Sequence, residues 1–281
     1  MLGDLGVRIT KSVWMFDPPV PFVGGTSCAE PDYLEWVRSL QEAGHEIGWH
    51  NTADGSSHRA RTIEALDRFE EVFGHAPRVG ADHAGNREAL YWGPRRLSGP
   101  LGSLYDRAGR FMRSERPDFS GDDPTSEYYW ADVCRDRITY WRNFCFRTLD
   151  LSGVGPVVYH DPARPMVNYW FTSTDASNPQ RLFRHFEPAS LDRLEQGGGV
   201  SILYTHLGVR LFDGGRLVPR FRDAWERLME RSVWVAPVSE VLDHIRSQYD
   251  ETVISTTERS TIELRWVADR LVDGTLLRVR R

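Results

Sequence analysis

The chain alternates between short strand-like runs and longer segments with helical spacing. "VRITKSVWMF" (7–16) is rich in β-branched and aromatic residues and stops at Asp17-Pro18-Pro19, so it reads as a strand. "PDYLEWVRSLQEAG" (31–44) sets Tyr33, Leu34, Trp36, Val37 and Leu40 at helical spacing and ends on Gly44. "HEIGWH" (45–50) reads as a buried strand. "ARTIEALDRFEEVFG" (60–74) is an amphipathic helix with Ile63, Leu66, Phe69, Val72 and Phe73 on one face. "PRVGADH" (77–83) is a weak strand, and "YYWADVCRDRITYWRNFCF" (128–146) reads mostly as helix. "GPVVYHD" (155–161) and "GGVSILYTH" (198–206) are strands. "RFRDAWERLMERS" (220–232) is a helix, "VWVAPV" (233–238) a strand and "SEVLDHIRSQ" (239–248) a helix. This rhythm implies an α/β fold of parallel units. The tail, 252–281, alternates without a helical period and carries a turn at Asp273-Gly274, which predicts a small β appendage. The pattern therefore divides the chain into a main domain, 1–248, and a β-hairpin appendage, 249–281.

Length and composition narrow the picture without changing it. The 281 residues are 40% hydrophobic and 27% charged, enough for one α/β barrel with a sizeable core. A net charge of -5 with no basic block gives no reason to expect nucleic acid or an anionic membrane as partner. There is no 18-residue apolar run, so no membrane span is expected. Asp4 and Arg8 interrupt the apolar core that a signal peptide needs. Cys28, Cys134 and Cys145 have no metal-binding spacing and cannot all pair, which reads as reduced thiols in a cytoplasmic protein.

Four of the nine histidines share a position. His50, His83, His160 and His206 each stand at the C-terminal end of a predicted strand. In parallel β/α folds those ends gather on one face, where loops build the site. Imidazole binds divalent metals and moves protons near neutral pH, so four of them together would make a catalytic centre. The competing reading for each is a hydrogen-bonded loop residue, which weighs most heavily on His160. His45, at the start of its strand, should lie at the opposite end of the sheet. His75, His185 and His244 read as surface residues.

"EAGHEIGWH", followed by a polar loop and an amphipathic helix, resembles the second motif of the polysaccharide deacetylases (carbohydrate esterase family four). "GGGVSILYTHLG" with the helix, strand and helix after it resembles that family's last motif, and "VFGHAPRVGADHAGNREALYWG" stands in the place of the third. The resemblance implies a distorted (β/α) barrel of about seven strands. It also implies a divalent metal, commonly zinc, and a metal-dependent hydrolase that removes acetyl groups from an N-acetylated carbohydrate. His50 matches the first metal histidine. The second should stand four residues on, where this chain has Asp54; Asp54 or His58 would complete the set. His206 matches the histidine that protonates the leaving amine. The family's first strand, with its paired aspartates, has no counterpart and would precede Met1; Asp17 is the early carboxylate in a comparable position.

Aromatic residues crowd the middle of the chain, and their flat faces suit sugar rings. His83, Asn86, Trp92 and His160, with Arg164 and Asn168 of the proline-rich "DPARPMVNYWFTS" loop, are the candidate substrate contacts. Two alternatives stand beside the deacetylase: a glycan-binding relative that has lost catalysis, and a hydrolase of another C–N bond.

Overall fold

The computed structural model describes residues 2–19, 25–112, 118–208, 211–213, 216–248 and 253–272. Its centre is a curled sheet of parallel strands. In chain order the elements are β1 (Thr10–Val13), α1 (Pro31–Glu42), β2 (Glu46–Trp49), α2 (Arg59–Phe73), β3 (Val79–Gly80), α3 (Gly99–Met112) and α4 (Ala131–Arg137). There follow β4 (Tyr140–Phe146), β5 (Val158–Tyr159), β6 (Tyr169–Ala176), α5 (Pro179–His185), α6 (Pro188–Gln196) and β7 (Leu203–Thr205). The remainder is a small hairpin of β8 (Phe212–Asp213) and β9 (Arg216–Leu217), then α7 (Pro219–Met229), α8 (Val238–Ser247) and α9 (Thr256–Val272).

β1, β2, β3, β4, β6 and β7 run parallel in that spatial order, and β5 joins β6 antiparallel. The sheet curls into a half-barrel. Among the described residues no strand pairs with the outer edge of β1 or of β7, so a seam separates them.

The sequence explains the local choices. α1 starts on Pro31, whose missing N–H costs nothing at a first helical position. α2 ends where Gly74 takes φ 77°, a left-handed cap that glycine adopts without strain. Of the predicted face Leu66, Phe69, Val72 and Phe73 are buried, joined by Ala65, while Ile63 is half-buried. Gly80 is required for another reason. A Cβ there would lie 2.2 Å from the Trp141 ring, so only glycine lets β3 and β4 pack together. A second apolar cluster, around Phe186, Phe221 and Trp225, joins α5 and α7.

Several expectations are corrected. Where the tail was expected to form a β appendage, Thr256–Val272 is a helix whose Ile262 and Trp266 join the main core. The turn expected at Asp273-Gly274 lies outside the described residues. The segment 128–146 divides into α4 and a seven-residue strand, β4. Residues 233–238 form no strand, and Trp234 is 57% exposed. The proposed loop 161–173 ends inside β6, the longest strand.

Candidate functional site

The site is assembled by strand order. β1, β2 and β3 are adjacent, with Val13 opposite Trp49 and Trp49 opposite Gly80. The side chains just past their C-terminal ends are therefore neighbours. Trp14 stacks on His50 at 5.6 Å and 19°, and His83 stands edge-on to both, 5.5 Å from each centroid. Three rings from three strands thus form a triangle.

Hydrogen bonds fix both imidazoles. His50 Nδ1 lies 3.0 Å from the Ala81 carbonyl. A carbonyl only accepts, so Nδ1 carries the proton and Nε2 keeps its lone pair. Desolvation, then Arg142 and His83, hold the His50 pKa well below its usual value, so the ring is neutral. His83 Nδ1 lies 3.0 Å from Asn86 Oδ1 and 3.4 Å from Asp54 Oδ1. The Asn86 orientation is itself determined: its Nδ2 donates to Ala53 O, Gly55 O and Glu88 Oε1, while its Oδ1 accepts from Gly55 N. His83 Nδ1 must then donate as well. Both rings therefore give Nδ1 to an oxygen of the surrounding fold, and Nε2 takes no part in these bonds.

Three buried residues hold this arrangement. Asn51 takes φ 60°, a left-handed conformation that asparagine tolerates better than most residues, and its Oδ1 accepts from His83 N at 2.5 Å. Asp82 accepts from Leu90 N at 3.1 Å and from Trp141 Nε1 at 2.8 Å, and burial pushes its pKa up to about 7. Glu88 accepts from Ser57 N at 3.1 Å and is likewise pushed to about 7 by burial.

A cavity of 2660 Å³ is lined by Trp14, His50, Asp54 and His83 among others. Arg142 of β4, Tyr204 of β7, His206, Trp92 and Arg96 also line it. The Arg142 guanidinium lies 4.0 Å over the Tyr204 ring, and Tyr204 Oη is 3.0 Å from His206 Nε2. His206 Nδ1 donates to Ser177 O at 3.0 Å, which turns Nε2 toward the Tyr204 hydroxyl.

Of the expected site residues, His50, Asp54, His83, Trp92 and His206 line this cavity. Asn86 is fully buried behind its wall as a clamp. The others stand elsewhere. His58 is exposed, stacked on Tyr128 at 4.8 Å and 3.4 Å from Glu127. The Asp17 carboxylate accepts from Ser27 Oγ at 2.6 Å and does not line the cavity. His160, the fourth strand-end histidine, turns its Nδ1 to Asn168 O at 2.8 Å and bridges to Val253. Asn168 donates to Arg135 O and Ile138 O, tying down the end of α4. Arg164 is buried in ion pairs with Asp161 at 2.6 Å and Glu263 at 3.0 Å. These three are positioned by fold contacts and not by the cavity. His185, expected at the surface, is buried, with Nε2 3.1 Å from Asp175 O. His45 does lie at the opposite end of its strand, where its Nδ1 accepts from Ile9 N at 3.0 Å.

The donors suit a divalent metal only in part. His50 and His83 are in metal-ready tautomers, each giving its Nδ1 proton to an oxygen. Asp54 lies on the Nδ1 side of His83, away from Nε2, and His58 is remote. Among the described residues no three His, Cys, Asp or Glu side chains converge as a metal group. The described residues thus do not complete a three-ligand site.

The chain matches no family model, no curated protein and no solved structure.

Proposed function

We propose that this cavity is a hydrolytic site of the polysaccharide-deacetylase kind, removing acetyl groups from an N-acetylated carbohydrate. One observation carries the reading: two imidazoles, each holding an oxygen through Nδ1 and leaving Nε2 out of that bond, stand side by side in the wall of a cavity large enough for a sugar. The Asp54-supported His83 is the better base, because the nearby carboxylate stabilises the imidazolium that forms when Nε2 takes a proton from water. The hydroxide attacks the acetamide carbon, and the C–N bond breaks as the amine is protonated. His206, hydrogen-bonded to Tyr204, is the expected donor of that proton. Trp14 and Trp92 offer faces for the apolar side of a sugar ring. The three free thiols fit a cytoplasmic setting.

The test is acetate release from N-acetylated chito-oligosaccharides, with metal content measured on the protein as isolated. His83→Ala and His206→Ala should each lower the rate about 100- to 10,000-fold. Absence of acetate release by the unaltered protein would remove the catalytic reading. The position of Asp17, away from the cavity, favours a second one: a glycan-binding relative without turnover, which would bind the same oligosaccharides and release nothing.

A further inference from the structure

Arg96 is 8% exposed, and its Nε is buried without a hydrogen-bond partner. Among the described residues its guanidinium has neither a carboxylate within ion-pair distance nor a side-chain hydrogen bond. Among the described residues the other buried arginine, Arg164, is paired with Asp161 and Glu263, and the half-buried Arg181 and Arg270 pair with Asp175. A desolvated cation without a counter-charge is costly.

Aromatic rings offset part of that cost. The guanidinium lies 3.7 Å over Trp92, with Trp266 at 5.4 Å and Phe144 at 5.8 Å. Stacking uses only the faces of the guanidinium. Its N–H donors lie in the plane and remain available. Arg142, on the same cavity, repeats the pattern: it stacks on Tyr204 at 4.0 Å and has no carboxylate partner among the described residues. Asp82 is electrostatically close to both arginines, yet its oxygens accept from Trp141 and Leu90. Two arginines held by their faces, with their edges free, match the geometry by which guanidinium binds an oxyanion.

We propose that the cavity takes a ligand carrying an oxyanion, a carboxylate or phosphate on a sugar, bound by the in-plane donors of Arg96 and Arg142. The sugar half of this statement rests on the reading of the cavity as a glycan site; the oxyanion half does not. It makes the substrate class an acidic, not a neutral, carbohydrate.

Calorimetric titration of the full chain with glucuronate, glucose 6-phosphate, glucose and inorganic phosphate separates the parts. Both acidic sugars should bind at least tenfold more tightly than glucose, and the tighter of the two identifies the anion. Arg96→Met, which keeps the stem against Trp92, and Arg142→Gln should each weaken the acids roughly tenfold or more while leaving glucose unchanged. Circular dichroism verifies the fold of each variant, and the half-buried Arg142 position decides if Arg96→Met does not fold. Glucose binding as tightly as the acids would overturn the proposal. So would acids that ignore both variants that fold, or no anion binding at all. Inorganic phosphate binding as well as the acidic sugars, with the same sensitivity to both variants, would uphold the oxyanion site and remove the glycan reading.

Discussion

Asn51 shows how one residue joins two strand ends. Its left-handed backbone turns the chain after His50, and its side-chain oxygen accepts the His83 N–H, so both imidazoles depend on it. Asn51→Val should destabilise the fold by about 1–3 kcal/mol, combining backbone strain with a lost buried acceptor. Asn51→Gly relieves the strain but not the lost bond, and should fall between the two in denaturant unfolding. A Val variant as stable as the parent would show that the turn is not constrained.

A second residue-scale expectation concerns pH. Asp82 keeps its proton to about 7 in the fold, against 3.8 ordinarily. As pH rises between those values, the unfolded chain has already lost the proton and the fold must give it up, so stability falls; above about 7 the loss is complete. His50 acts in the opposite sense. Its folded pKa is depressed, so stability falls as pH drops through the ordinary histidine range. Asp82→Asn removes the first contribution alone. Its unfolding temperature should gain on the parent's from pH 5 up to about pH 7 and hold that gain at higher pH. A difference that does not change with pH would contradict the assignment.

At the level of elements, α9 is the informative case. Its threonines, Ile262 and Val267 carry a β-branched signal, and that signal suggested strands. The i,i+4 pair Ile262 and Trp266, both buried, is the helical signal that mattered. The helix is anchored by Glu263, which accepts from Ser98 N and Ser98 Oγ and pairs with Arg164. Trp266→Ala should cost about 3–5 kcal/mol in denaturant unfolding. A loss well under 1 kcal/mol would mean that α9 packs only loosely. β6 was hidden for the opposite reason. "YWFTSTDA" is buried at nearly every position, on both faces, so it shows no alternation, and its Thr, Ser and Asp look like loop residues. β4 was masked by its arginine and by the helical run before it. Arg142, one of the cavity's two unpaired arginines, was missed with it. His50 and His206 were visible because each closes a recognisable strand. His83 was visible too, but its partnership with His50 was not: that depends on β3 lying beside β2, which no local pattern encodes.

Across the whole molecule, the parallel α/β order was legible because strands and helices alternate, whereas the curl and its opening were not. A closed barrel has a girth fixed by its ring of main-chain hydrogen bonds. Here the ring is interrupted between β1 and β7, among the described residues. The two walls, one bearing the paired imidazoles and the other Tyr204 and His206, can therefore move apart or together without breaking a ladder bond. Among the described residues, then, no main-chain ladder between β1 and β7 fixes the width of the chamber.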